Sequence, residues 1–409
     1  MNSLRCQIGL NGLNFITGAM QTAFGPFFSV YLTEQGWSQG DIGFALSVGT
    51  ATVLAFQLPA GVLIDSIHLK RIATAMAVLL LGLSALMLVA KPTPGPVLAS
   101  QVVHSFASCL LTPAIAALTL ALSGQDAFSE RLGVNGRYAS LGSAFAAAGL
   151  GAVASYISVQ AVFIVTAGLV VPGMLTLVLF RTADRHPVED HPAMQHPRER
   201  KQRDHRPWHI FREPTLHIFA VCVVLFFFAN AAMLPLALNE LSKRIGDTGF
   251  VVSAAIIVPQ IVVMAFSPWV GRLAQSLGRR PVLLVGFAAL PLRGLLFATQ
   301  PDAIPLVVIE VLDGVSATVF GLMMPLIAAD VTRRTGYLNL AIGSLGLAAG
   351  LGATASTAVA GLMADRLGAA SAFLGLAVIG FAALALLWRM MPETRPGKPL
   401  TGTPAVAAA

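Results

Sequence analysis

The sequence is short of charge. Lys, Arg, Asp and Glu make up 11% of its 409 residues, against about 25% in a soluble domain. With 56% of the residues hydrophobic, a water-soluble fold could not cover its surface with polar groups, so lipid must be part of the solvent. Cysteine is scarce too. Cys6, Cys109 and Cys222 lie in or beside apolar segments and none forms a CxxC pair, which argues against a disulfide framework or a zinc site. There is no GxxxxGK[ST] phosphate loop, so ATP is not the expected driving force. No basic stretch is interleaved with aromatics, as a nucleic-acid groove would require. His104 is the only histidine clearly inside an apolar segment. An intramembrane enzyme, which needs clustered nucleophile–base or metal-ligand groups, is therefore disfavoured, and neither metal nor cofactor is expected.

What is present is apolar sequence in long runs. A spanning helix needs about 20 mostly apolar residues. Such stretches lie near 8–32, 41–63, 72–90, 95–122, 136–157 and 160–180, and again near 215–237, 249–270, 282–299, 303–329, 338–362 and 370–391. The first follows Arg5 and is broken by Asn11, Asn14 and Gln21. That is a poor signal-peptide core, and it reads as a retained first span. Residues 1–180 and 215–391 thus form two six-helix bundles in an all-α membrane fold. Between them, 181–214 is rich in charge, Pro and His and reads as a largely disordered linker. Its His-Pro pairs recur at 186, 191 and 196, where metal sensing and headgroup contact by the basic run 198–206 are both open. Residues 392–409 read as a disordered tail.

Basic residues near membranes stay on the cytoplasmic side. With both termini inside, the inner segments hold 21 of the 26 Lys and Arg residues, and the outer loops hold only Lys91, Lys243, Arg244 and Arg366. The expected location is a cell membrane (the inner membrane in a Gram-negative cell), with both termini cytoplasmic. The net charge of +7 is thus first a topology signal.

The two halves resemble each other. GSAFAAAGLGAVAS at 142–155 aligns without a gap on GSLGLAAGLGATAS at 343–356, an offset of 201. GVLIDSIHLKR at 61–71 lines up with GRLAQSLGRRP at 271–281, an offset of 210. Parallel repeats of this kind are a known transporter architecture, and small residues let membrane helices approach closely.

With its two sets of six spans, long central linker and loop pattern after span two, the chain resembles the major facilitator superfamily over nearly its whole length. The family's loop motif runs glycine, a carboxylate four residues on, then a basic cluster. Gly61, Asp65, Lys70 and Arg71 match it; Ser66 and His68 stand where the family has a basic residue and a glycine. The second copy keeps Gly271, Gly278, Arg279 and Arg280 and has Gln275 in place of the carboxylate. The resemblance implies that this motif latches the cytoplasmic side in the outward-facing state. It also implies that spans one, four, seven and ten line a central cavity, with span nine peripheral. Exporters of the drug/proton antiport type carry an arginine in span four and a Gly-Pro pair in span five. Here Gln101 takes the arginine's place and the fifth span has no Pro.

An ionisable side chain at the centre of a span costs about 2.5–3.5 kcal/mol, so each one demands a reason. Arg293 lies in span nine, and Glu310 and Asp313 lie in span ten, three residues apart on one helix face. Either Arg293 pairs with one carboxylate and leaves the other free to carry a proton or meet a cation, or all three form one structural cluster. Span four offers Gln101 and His104 at the same spacing, and His changes charge most readily near neutral pH. Asn14 and Gln21 of span one and Asn230 of span seven are further cavity candidates. The expected function is secondary active transport of a small organic solute by alternating access, driven by a proton gradient. Efflux is the leading direction and uptake of a metabolite the alternative. A transporter-like sensor is a remote possibility, against which stands the lack of a folded cytoplasmic domain. The partners are the solute and the lipid bilayer, and the chain is expected to act as a monomer. Few aromatics fall in the cavity spans, and the polar set there suits a neutral or cationic solute.

Overall fold

The computed structural model describes residues 2–24, 26–37, 39–66, 70–90, 92–179, 210, 212–245, 249–333 and 335–395, and regular structure among them is helical throughout. Nearly all of the linker, His68 and residues 396–409 of the tail lie outside the described residues. Span one comprises Asn2–Thr22 and Pro26–Glu34, span two Gln39–Ser66 and span three Lys70–Ala90. Spans four and five share the helix Pro94–Tyr156, and span six comprises Val159–Gly168 and Val170–Val178. Span seven comprises Pro214–Asn230 and Met233–Ile245. Gly249–Leu277, Arg279–Ala298, Ala303–Val331, Leu338–Leu367 and Ala369–Met390 are spans eight to twelve. Eleven stretches are long and apolar enough to cross a membrane. Span one is not among them, because Asn11, Asn14 and Gln21 dilute its apolar residues.

Two local features depart from the expected layout. Residues 123–135, left between the expected spans four and five, are helical except at Gly124, whose φ of 72° breaks the rod. The left-handed region is open to glycine at no steric cost, and the helix formers that follow, Ala127, Glu130 and Leu132, restart the helix at once. Span seven breaks after Asn230, because Pro235 has no N–H for the Ala231 carbonyl and its ring crowds that carbonyl. The Ser356 hydroxyl accepts the freed Ala232 N–H at 3.1 Å, as a polar side chain must where lipid supplies no water.

The halves meet through span two against span eleven and span five against span eight. Glycine makes both contacts possible. A methyl group at Gly61 would strike the Asn339 carbonyl, and one at Gly271 the Ser129 carbonyl. At Gly133 it would strike Ser267, and at Gly343, Gln57. Inside the halves, Gly142 rests on the Phe15 carbonyl and Gly352 on that of Val224. The pairs Gly61/Gly271, Gly133/Gly343 and Gly142/Gly352 are each 210 residues apart.

The register at 61–71 and 271–281 therefore has equivalent packing in both halves. The offset of 201 does not. It pairs Gly142, which faces span one of its own half, with Gly343, which faces span two across the interface. Glycines recur so often in spans five and eleven that a slip of nine residues still superimposes glycine on glycine.

Candidate functional site

On the face where both ends of the helical bundle lie, Asp65 closes span two onto span eleven. Its Oδ1 accepts the Asn339 backbone N–H at 3.1 Å and the Asn339 side-chain amide at 2.7 Å, and its Oδ2 accepts the Leu340 N–H at 2.9 Å. These are the unpaired donors of the first turn of Leu338–Leu367, where the helix dipole also favours negative charge. Lys70 donates to the Ile64 carbonyl, which ties the loop back onto span two, and Arg71 follows it half-buried.

The second copy of the loop has its acids elsewhere in the chain. Arg279 is buried and binds Asp330, at the end of span ten, through Nε at 2.8 Å and its NH2 group at 3.3 Å. Its NH1 group donates to the Ala274 carbonyl and to Gln275 Oε1. Gly278, at φ 107°, turns the chain so that Glu393 caps span nine, accepting the Arg279 and Arg280 backbone N–H groups at 2.8 and 3.1 Å. Partial burial would raise the Glu393 carboxyl, but those donors, the Arg395 N–H and the Arg279 charge together hold it below its ordinary range. Asp330 and Glu393 escaped the sequence reading because neither lies in the loop they serve. The visible signals were an acid at a span end and the run Pro392-Glu393-Thr394 just beyond span twelve.

Within the membrane the second half gathers one cluster from three spans. Arg293, only 2% exposed, donates to both oxygens of the fully buried Glu310 at 2.7 and 2.9 Å. Its NH1 group donates to Asp313 Oδ1 and to Asn230 Oδ1, each at 2.6 Å. The guanidinium also lies 5.3 Å from the Phe297 ring centroid. The reading in which one carboxylate stands free is thereby corrected, since both acids reach the same arginine. The three-residue spacing of the acids turns both toward span nine, and one guanidinium is broad enough for both. They are not equivalent, however. Glu310 is held through two oxygens, whereas Asp313 is held through one and its side chain is 22% exposed. Asn230, at the break of span seven, joins them.

The first half is built differently. Gln101 is buried, its Nε2 has no partner, and its Oε1 faces Gly49 of span two. His104 stacks on Phe24 with ring centroids 3.9 Å apart, and its Nδ1 is unpartnered. Asn14 turns back onto the Leu10 carbonyl at 2.8 Å, and Gln21 is exposed. Arg131, one of the 21 basic residues of the inner segments, donates to Asn11 Oδ1, Asn135 Oδ1 and the Gln7 carbonyl. Asn135 in turn binds Thr119 of span four. Among the described residues no carboxylate pairs with Arg131. The expectation of few aromatics also needs correcting, because Phe226 and Phe227 of span seven pack on Phe320 of span ten, with centroids 4.6 and 5.0 Å apart. No group of three or more potential metal ligands occurs among the described residues.

One positive and two negative groups beside a helix break, with only Asp313 partly exposed, can exchange a proton, and in the first half the unpartnered amide and imidazole nitrogens of Gln101 and His104 are free to bind a polar group. The model of the Major Facilitator Superfamily matches residues 10–239 and 218–408. An uncharacterized MFS-type transporter of Mycobacterium tuberculosis is 34% identical over 398 residues, covering 94% of this chain and 93% of its own, in strain CDC 1551 / Oshkosh and again in strain H37Rv. Among solved structures, a proton:xylose symporter bound to 6-bromo-6-deoxy-D-glucose superposes with a TM-score of 0.73 at 14% identity, over 96% of each chain. The human organic anion transporter MFSD10 superposes with a TM-score of 0.72 at 14% identity, over 94% of this chain and 99% of that one.

Proposed function

The chain belongs to the major facilitator superfamily, and from that premise we propose that it is a proton-coupled secondary transporter of a small organic solute, with Asp313 as the proton carrier. It is a multi-pass membrane transporter rather than an enzyme. The observation that carries the coupling reading is the asymmetry of the Arg293 cluster. Arginine stays charged in proteins, so with both acids ionised the cluster carries one net negative charge. One proton makes it neutral. Asp313, bound through a single oxygen and partly exposed, is the group placed to take that proton, while Glu310 keeps Arg293 in position.

Alternating access needs an element with two arrangements. The contacts of Asp65 with span eleven and of Gly271 with span five hold one face of the molecule shut, and their release would open it. On the basic-inside reading this is the cytoplasmic face. In this reading the solute meets the partly exposed Asp313, and the unpartnered nitrogens of Gln101 and His104 support a polar contact from the first half.

Compounds that raise the melting temperature of the purified protein identify solutes, because a ligand that binds only the folded state stabilises it. In proteoliposomes of known orientation, pH-gradient-driven movement of such a solute reads coupling and direction together. Asp313→Asn should lose gradient-driven accumulation and keep solute counterflow. Full accumulation in that variant would remove Asp313 from the coupling mechanism.

A further inference from the structure

Where spans nine and twelve reach the face closed by Asp65, a cavity of about 300 Å³ is lined by Arg280, Trp388 and Arg389. Its charge is one-sided. Among the described residues neither arginine forms an ion pair. The Arg280 guanidinium donates to the Trp388 carbonyl, and its Nε is buried without any partner. Glu393 accepts the Arg280 backbone N–H, but both its oxygens are engaged by backbone donors, so the guanidinium is left uncompensated. An anion beside the two guanidinium groups would meet positive charge that no carboxylate among the described residues neutralises.

The surroundings identify the anion. The Trp388 side chain is 62% exposed, and Val378 and Phe381 stand exposed on the same side of span twelve at spacings of ten and seven residues. Val285 of span nine is exposed one to two turns beyond Arg280. Exposed apolar side chains therefore lie on the outer surface of the two spans beyond the charged cavity. Trp settles at the headgroup level of a bilayer, and arginines there attract anionic headgroups. A free phosphate would use the arginines but not the apolar side chains.

We propose that Arg280 and Arg389 hold the phosphodiester of an anionic phospholipid, with Trp388 at the glycerol level and the acyl chains along Val378, Phe381 and Val285. The full-length protein, delipidated in detergent and titrated with phosphatidylglycerol or phosphatidylcholine, is examined by native mass spectrometry. Two arginines near an anionic headgroup favour phosphatidylglycerol about thirtyfold. Arg389→Gln should lower that preference about fivefold, while Arg272→Gln, at an exposed arginine away from the cavity, should leave it unchanged. Trp388→Ala should weaken retention of both lipids. Because Arg389 is exposed and forms no ion pair among the described residues, its variant tests binding with little effect on folding. Equal retention of the two lipids overturns the proposal, as does an unaltered preference in Arg389→Gln. Displacement of phosphatidylglycerol by millimolar inorganic phosphate would make this a soluble-anion site and overturn it as well.

Discussion

Arg293 holds Glu310 through both carboxylate oxygens, at 2.7 and 2.9 Å, with neither side chain more than 2% exposed. A pair buried this fully gains little over an apolar pair of the same size, yet removing one partner costs about 3–5 kcal/mol because a buried charge is stranded. Arg293→Gln strands two, Glu310 and Asp313. It should lower the melting temperature of the purified protein sharply. Arg293→Gln/Glu310→Gln should melt above Arg293→Gln alone, although it carries one more substitution. Simple addition of the two single effects would show that the side chains do not act as a unit.

Asp65 makes a different kind of contact, since its partners lie in the other half. Losing it should not unfold the protein but should release the closed face. Hydrogen bonds to an ionised group contribute about 1.5–3 kcal/mol. Asp65→Asn should therefore shift the balance of the two faces by roughly tenfold or more. Spin labels on spans two and eleven near that face read this as a longer distance population. An unchanged distribution would leave Asp65 a loop-shaping residue only.

The glycine contacts divide in the same way. Gly142 rests on Phe15 within the first half, so Gly142→Val should damage the bundle itself and lower its melting temperature. Gly343 rests on Gln57 across the interface. Gly343→Val should leave each half intact and wedge them apart, seen as raised labelling of a cysteine placed at the closed face. If both variants behaved alike, the interface would be as rigid as the bundle.

How far these features can be read from sequence follows from the range of the interactions. Span count is local: an apolar run of sufficient length has few alternatives in lipid, and the expected spans overlap the helices throughout. The charged trio was visible because an ionisable group among apolar residues stands out. Its partition was not, since whether one arginine reaches two acids depends on the crossing of spans nine and ten. Asp330 and Glu393 could not be matched to Arg279 for the same reason, as 51 and 114 residues separate them from it. The repeat register failed where composition was simplest: in spans five and eleven glycine is too frequent to mark one alignment.

Glu393 carries the pH prediction. Its carboxyl lies below the ordinary range in the folded protein, despite the opposing effect of partial burial, because three backbone N–H groups and Arg279 favour its charged form. A depressed carboxyl stabilises the fold above the unfolded value, about 4.3 for glutamate, and that stability is lost as pH falls through the folded value. Glu393→Gln keeps one acceptor oxygen and no charge. At pH 7 it should melt slightly below the parent, by about 1–2 °C, with spans eight and nine loosened where Gly278 turns. As the pH falls past the carboxylate range the parent loses the same charge, so the two melting curves should converge. Asp330 titrates in both proteins but feels the Glu393 charge, so the difference between them reports Glu393 together with its effect on Asp330. A gap that stays constant down to pH 3 would mean that Glu393 acts through shape rather than charge.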